Sequence, residues 1–292
     1  MNERLFNELR CLARPANKAA DCHVHVFGSC RDVVSPRFPH PDEPATLAQL
    51  ELLGKSFNIQ RYVLTQPSFL GFDNSDLLKE LARRPQDLRG VIWLDADTDP
   101  AELPGLAARG VAGLRFPMFY SREMPQWDAY ADLLSAAASC GIHVELGVHG
   151  SELVKALQFV LKRGANVVFA HLGMFDPDAG PDRDPSFQAL LEAAATRRVW
   201  VKLSAPYRTT ALHAARACER LIATLGPERL VWGSDWPHIG APLDRRAAYA
   251  ESMQWFHSCV PEADVRGQIL EGSAATLYRF RPPASVPFLT CE

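Results

Sequence analysis

Several features that would place this chain in other protein classes are absent from its sequence. No uncharged apolar stretch approaches the roughly 20 residues that a bilayer span needs. Met1–Ala20 carries charges where a secretory signal would have an apolar run. The seven scattered cysteines include no Cys-x-x-Cys pair, which argues against a thiolate zinc site or a redox motif. These absences favour a cytoplasmic protein without a membrane segment.

A strong excess of either charge is also lacking. The 31 Lys and Arg residues nearly balance 34 Asp and Glu residues, so the net charge is −3. This balance excludes a globally basic nucleic-acid binder but leaves room for a local basic pocket that takes an acidic small molecule. With 292 residues, 47% of them hydrophobic and 22% charged, the chain is typical of a globular protein with one large barrel or two domains.

Short apolar runs rich in β-branched residues recur along the chain and predict eight strands. Ala/Leu-rich segments with helical spacing separate most of them, among them Ser75–Arg84, Trp127–Ser139, Ser151–Lys162, Ser186–Thr196 and Ala211–Leu225. The predicted strands are Ala20–Phe27, Ile59–Gln66, Arg89–Asp95, Val111–Phe116, Ile142–Val148, Asn166–His171, Arg198–Ser204 and Arg229–Asp235.

Eight alternating strand and helix units indicate a parallel sheet closed into a (β/α)8 TIM barrel, a single α/β domain. A doubly wound open sheet is the alternative, but the first strand is followed by Phe27-Gly28-Ser29 and not by Gly-x-Gly-x-x-Gly. We expect the barrel over residues 20–280, with an N-terminal extension over 1–19 and a Pro-rich C-terminal arm over 281–292. The polar stretch Arg31–Ala45 predicts a long loop after strand one.

Polar residues collect at the carboxyl ends of the predicted strands, where barrel enzymes hold their reactive groups. Period-two alternation predicts that the odd-numbered members of Asp21–Val26 face the barrel axis, whereas Cys22, Val24 and Val26 face the helices. It leaves the direction of Lys202 open. The side chains expected in the mouth are Asp21, His23, His25, Arg115, Glu145, His149, His171 and Asp235, followed by His238.

These strand ends resemble a known family. Asp21-Cys22-His23-Val24-His25, Phe169-Ala170-His171-Leu172-Gly173 and Gly233-Ser234-Asp235-Trp236-Pro237-His238 are similar to motifs of the amidohydrolase superfamily. Within it, the chain resembles the 2-pyrone-4,6-dicarboxylate lactonases and sugar lactonases. The resemblance implies a distorted amidohydrolase barrel that opens a lactone ring with water.

Under this resemblance, Asp235 acts as the general base for water. His23, His25 and His171 polarise the carbonyl, either as hydrogen-bond donors or as ligands of one metal together with Asp235. Arg115 stands where binuclear members carry a bridging Lys, which argues against two metals. Catalysis without a cofactor is favoured, and one zinc or manganese ion is the alternative.

The resemblance also suggests how an anionic substrate is held. Arginines pair with carboxylates through two parallel hydrogen bonds, and hydroxyls can bind ring or carboxylate oxygens. We expect a small anionic lactone as the partner, with no nucleic acid and no membrane, and leave the oligomeric state open. The predicted substrate-binding residues are Arg115, Arg122, Arg208, Ser68, Tyr207, His149 and His238.

Three alternatives to a dicarboxylate lactonase remain at this point. The chain could hydrolyse a sugar-acid lactone, or it could be a metal-dependent hydrolase or decarboxylase of the same superfamily. A barrel that only binds a metabolite is disfavoured, because Asp235 is retained beside the histidines.

Overall fold

The computed structural model describes residues 18–28, 38–118 and 124–280. The predicted N-terminal extension lies almost wholly outside these residues, as do the C-terminal arm, Arg122 and much of the loop Arg31–Ala45. The described part of that loop ends at Ala45, which pairs with Phe27 in a short antiparallel bridge. Among the described residues, no helix has both the length and the apolar character needed to cross a bilayer.

Eight parallel strands form one sheet in sequential order, as predicted. Each strand pairs with the next, and β1 meets the end of β8 through hydrogen bonds between His23, His25 and the Asp235–Trp236 segment. The sheet therefore closes nearly completely, and the doubly wound alternative is wrong. The strands are β1 (Ala19–Val24), β2 (Ile59–Thr65), β3 (Leu88–Ile92), β4 (Val111–Pro117), β5 (His143–Gly147), β6 (Val167–Phe169), β7 (Val199–Leu203) and β8 (Leu230–Trp232).

Helices surround the strands, and their ends follow the local sequence. Thr46 and Gln49 form a capping box at α1, and Asp184 accepts from two backbone amides at the start of α6. The helices are α1 (Leu47–Lys55), α2 (Ser75–Arg83), α3 (Leu103–Ala108), α4 (Ala131–Ser139), α5 (Gly150–Lys162), α6 (Pro185–Ala193), α7 (Ala211–Leu225), α8 (Arg245–Cys259), α9 (Ala263–Gly267) and α10 (Ala274–Tyr278), with a π-helical turn at Gln268–Ser273.

The five named helices are present, within a few residues of their predicted bounds. Trp127–Tyr130 is a 3-10 turn before α4, and α5 begins at Gly150 rather than at Ser151. Seven of the eight strands are shorter than the apolar runs that predicted them, because the chain leaves the sheet before the polar residues at the strand ends.

The core has two layers. The larger one lies between the strands and the outer helices and includes Val24, Val144 and Val201. A separate cluster contains the alternate strand residues and therefore fills the barrel interior. Tyr278 of α10 and the following Phe280 pack against this inner cluster. The inner cluster includes Cys22, Val63, Val91, Val168, Trp200 and Val231.

Candidate active site

The four residues predicted as catalytic lie together at the carboxyl ends of the strands. His23 is within β1 and His25 just beyond it, whereas His171 follows β6 and Asp235 follows β8. All four are buried. His171 (φ 46°) and Asp235 (φ 64°) have left-handed backbone conformations, which residues other than glycine adopt at an energetic cost. These sharp turns occur where the chain leaves the strands at the site.

One carboxylate oxygen of Asp235 faces the three histidines. Asp235 Oδ1 lies 3.6 Å from His23 Nε2, 3.6 Å from His25 Nε2 and 3.9 Å from His171 Nε2. Each distance exceeds that of a hydrogen bond. The ligand atoms of His23, His25 and Asp235 lie within 4.8 Å of one another, close enough for one further atom, such as an oxygen of water or substrate, to contact all three.

The other carboxylate oxygen is held by protein donors. The Tyr207 hydroxyl donates to Asp235 Oδ2, and Arg208 Nη2 lies 3.3 Å from the same atom. The backbone amide of His238 donates to the Asp235 carbonyl at 2.7 Å. The His238 ring contacts the Tyr207 ring edge-on, with 5.7 Å between centroids. Asp235 is thus fixed through Oδ2, while Oδ1 stays directed at the histidines.

Charge and burial set the protonation states at this cluster. Burial raises the pKa of Asp235, but His171, Arg208 and the neighbouring donors outweigh burial and hold it well below 3.8. Burial lowers the pKa of His171 to about 3. Burial, followed by the charge of Lys202, holds the pKa of His23 well below 6.5. At neutral pH an ionised carboxylate therefore lies beside two neutral imidazoles.

Each histidine is oriented by a contact on its second ring nitrogen. His25 Nδ1 lies 2.8 Å from the Thr65 carbonyl oxygen, and His171 Nδ1 lies 3.0 Å from Ser204 Oγ. His23 Nδ1 lies 3.1 Å from Lys202 Nζ. Such contacts fix the ring orientation. The Thr65 carbonyl and the Lys202 ammonium also determine which nitrogen of His25 and of His23 carries the proton, whereas the Ser204 hydroxyl can either donate to His171 or accept from it.

Arg115, Arg208 and Ser68, three of the predicted substrate-binding residues, border the same cleft. Arg115 is buried, its Nη1 donates to the Gln66 carbonyl, and its Nε lies 3.9 Å from Glu145 Oε1. Arg208 keeps 27% of its side chain exposed. The small cavity between these groups is lined by His25, Ser68, Arg115, His171, Arg208 and Ile239, together with Pro39.

His149 lies farther out, at a side cavity of about 200 Å³ that reaches His171 and Arg208. Its Nδ1 donates to the Met174 carbonyl at 3.1 Å. The walls of this cavity are largely apolar and include Leu172, Met174, Phe175, Pro177 and Ala205. The structure therefore places His149 beside the cleft, where it shares the side cavity with His171.

The predicted inward direction of Asp21 is wrong. Its Oδ1 accepts from the backbone amide of Ser234 at 2.9 Å, and its carboxylate lies near Tyr249 of α8, outside the barrel interior. Cys22 points inward instead and joins the inner cluster. A break in the β1–β2 register between Asp21 and Val24 interrupts the alternation, so that His23 still faces the site.

The alternation along the predicted strand left the direction of Lys202 open, and no role was predicted for Ser204. Both side chains are fully buried and face the barrel interior, where they contact His23 and His171 respectively. The signal was available in β7, because Val199, Val201 and Leu203 form its outward apolar face. The two polar residues fall on the opposite parity.

Three of the four residues predicted as possible metal ligands have ligand atoms close enough to share one ion. Ligand atoms of His23, His25 and Asp235 lie within 4.8 Å of one another. His25 fits such a role, because Nδ1 donates to the Thr65 carbonyl and leaves the lone pair on Nε2 of the neutral ring. His23 does not fit in the same way, since an ammonium group lies against its Nδ1. The two histidines therefore do not fit a metal that both of them would hold through Nε2.

Comparisons with known proteins find relatives that match most of the chain. The chain is 28% identical to the 2-pyrone-4,6-dicarboxylate hydrolase of Comamonas testosteroni, over 89% of this chain and 90% of the relative. It is 27% identical to a 4-sulfomuconolactone hydrolase of Rhizobium radiobacter, over 89% of each chain.

A solved structure shows the same architecture. It is a Pseudomonas putida protein assigned as a 2-pyrone-4,6-dicarboxylic acid hydrolase, 31% identical, with a TM-score of 0.81, and the match covers 90% of this chain and 98% of that one. The family model for amidohydrolases matches residues 20–280. The chain belongs to the amidohydrolase family.

Proposed function

We propose that this protein hydrolyses the lactone ring of a small carboxylated substrate such as 2-pyrone-4,6-dicarboxylate. The observation that carries the proposal is that the two carboxylate oxygens of Asp235 have different partners. Tyr207 and Arg208 hold Oδ2, whereas Oδ1 faces three histidine nitrogens. An ionised carboxylate with one oxygen directed at a buried cleft is suited to accept a proton from water.

The reaction follows from this arrangement. Water beside Asp235 Oδ1 gives a proton to the carboxylate as its oxygen bonds to the lactone carbonyl carbon. His25, whose Nε2 is an acceptor in the neutral ring, holds the second proton of that water. The carbonyl oxygen gains negative charge and accepts hydrogen bonds from His23 and His171. The ring C–O bond then breaks, and the departing oxygen takes the proton from Asp235.

The cations of the cleft support a carboxylated substrate. Arg115 and Arg208 line the same small cavity as His25 and His171, and Ser68 adds a hydroxyl. Guanidinium groups bind carboxylates strongly in a site that excludes water. The names of the two curated relatives also describe lactone hydrolases whose substrates carry acidic groups. Arg122 belongs to the predicted set but lies outside the described residues.

The test compares wild type with Asp235→Asn on 2-pyrone-4,6-dicarboxylate and on a carboxylated sugar lactone. We expect kcat/KM of the variant to fall by about 10³-fold or more, because the amide cannot accept the proton from water. Asp264→Asn, at an exposed aspartate, is the matched control and should behave as wild type. Undiminished hydrolysis by Asp235→Asn would contradict the mechanism. A wild-type protein that binds the lactones without opening any of them would instead favour a metabolite-binding barrel.

A further inference from the structure

Buried polar side chains contact one another in a row beneath the histidine cluster. Lys202, in the middle of β7, has no exposed surface. Its Nζ lies 2.5 Å from Glu145 Oε2 of β5 and 3.1 Å from His23 Nδ1 of β1. Charged lysines are seldom wholly buried unless they are paired. This lysine has a carboxylate on one side and an imidazole nitrogen on the other.

The contact with His23 has only one possible donor. An ammonium group carries three N–H donors and has no acceptor, so His23 Nδ1 must accept. A neutral imidazole with an accepting Nδ1 carries its proton on Nε2. Within the described part of the chain, His23 Nε2 is buried without a hydrogen-bond partner, and Asp235 Oδ1 is 3.6 Å away. A buried donor without a partner costs free energy unless substrate supplies the acceptor.

The second histidine of the pair carries the opposite tautomer. The Thr65 carbonyl can only accept, so His25 Nδ1 is the donor in that contact. His23 and His25 both turn Nε2 toward Asp235 Oδ1 at 3.6 Å. In the neutral rings, one presents a donor there and the other a lone pair. A metal held by both residues would need a lone pair on both nitrogens.

We propose that Lys202 is a positioning residue that keeps the proton of His23 on Nε2, so that His23 donates a hydrogen bond to the lactone carbonyl and does not bind a metal. The donor role rests on the proposed lactone hydrolysis, whereas the tautomer and the poor metal affinity do not. Glu145 completes the device, because it pairs with the lysine and holds Nζ between the two strands.

The first measurement is the tautomer itself. In protein labelled with 15N-histidine, long-range 1H–15N spectra distinguish a ring protonated at Nε2 from one protonated at Nδ1. The His23 signals are identified by their absence from the spectrum of His23→Gln. We expect Nε2–H for His23 in wild type. A His23 ring protonated at Nδ1 would overturn the proposal, whether or not the protein opens lactones.

The second measurement uses a pair of variants. Lys202→Met combined with Glu145→Gln removes the ammonium without leaving a buried carboxylate unpaired, and Glu145→Gln alone keeps Lys202 beside His23. In zinc titrations of metal-stripped protein, we expect the double variant to bind zinc at least 10-fold more tightly than wild type. Glu145→Gln alone should have a zinc affinity between those of wild type and the double variant, because Lys202 remains beside His23 but loses the carboxylate that holds it.

Kinetics separate positioning from a general loss of structure. We expect kcat of the double variant to fall about 10- to 100-fold on a carboxylated lactone with a smaller change in KM, because the lost hydrogen bond strengthens in the transition state. Equal zinc affinity in wild type and the double variant would overturn the inference. If the double variant does not fold, the wild-type spectrum still decides the tautomer. A correct tautomer without lactone hydrolysis would contradict only the proposed function.

Discussion

Asp235 shows how single contacts determine chemistry at this site. Its two oxygens have the same intrinsic basicity, but Tyr207 and Arg208 bind Oδ2 and leave Oδ1 to the cleft. The histidines differ for the same reason, since each has a different partner on Nδ1. Sequence motifs identified these side chains, but a motif carries no information on which nitrogen meets a carbonyl and which meets an ammonium.

The pKa of Asp21 leads to a prediction at the residue scale. Burial raises its pKa to about 7, against 3.8 for an ordinary aspartate, although hydrogen bonds from Ser234 and His23 oppose the rise. Between these pH values the folded protein binds more protons than the unfolded chain, so the free energy of unfolding falls as pH rises. A difference of about three pKa units corresponds to on the order of 4 kcal/mol.

We therefore expect Asp21→Asn to gain stability relative to wild type as pH rises from about 5 to 8, by up to about 3 kcal/mol, because about two of the three pKa units lie within this interval. The asparagine oxygen can still accept from the amides of Ser234 and His23. Urea unfolding of both proteins at each pH measures the difference. Asp264→Asn, at an exposed carboxylate, should show a constant offset. Parallel pH profiles for wild type and Asp21→Asn would show that Asp21 is not the group responsible.

At the scale of secondary structure elements, the strand order and most helix positions could be predicted, because apolar periodicity reflects burial directly. The direction of Asp21 could not, because the irregularity in β1 shifts the alternation and leaves no mark in the local composition. The direction of Lys202 was predictable in principle from the outward apolar face of β7. A charged residue inside a barrel needs a partner, and Glu145 comes from a strand that sequence alone does not place beside it.

Strands β4 and β5 approach closely inside the barrel, where Gly113 pairs with His143. A methyl group on Gly113 would lie 2.3 Å from His143 Nε2, well inside van der Waals contact. We expect Gly113→Ala to lower the free energy of unfolding by about 1–3 kcal/mol, the usual cost of overpacking. Chemical denaturation measures this loss.

A double-mutant cycle assigns the loss to the ring. In a His143→Ala background, Gly113→Ala should cost at least about 1 kcal/mol less than in wild type, because the clash is gone. Gly105→Ala is the matched control, since nothing lies within 4 Å of the added methyl group in α3. An equal cost in both backgrounds would mean that backbone effects, and not the contact with His143, limit this position.

On the scale of the whole molecule, the net charge is slightly negative, but the cleft is lined by cationic side chains. The chain carries −3 overall, whereas its cleft presents the cations Arg115 and Arg208, with the carboxylates of Asp235 and Glu145 beside them. The barrel and its strand-end cluster followed from the order of apolar runs and polar ends. The electrostatic field in the cleft could not be predicted from composition. Composition gives only the sum of all charges, and the fold places positive and negative side chains in different parts of the molecule.

This separation predicts a salt effect that depends on the substrate. A dicarboxylate is attracted to the cationic cleft over roughly a Debye length, about 10 Å at 0.1 M salt, and added salt shortens that range. We expect kcat/KM for an anionic lactone to fall several-fold between about 20 and 300 mM sodium chloride, with most of the change in KM. A neutral lactone opened by the same enzyme should show a nearly flat profile, because the cleft charges do not steer it.

Arg208→Gln should weaken the salt dependence of kcat/KM for the anionic lactone, since it removes the more exposed of the two cations. If the anionic and neutral substrates respond equally to salt, the arginines do not attract the substrate, and its carboxylates bind elsewhere.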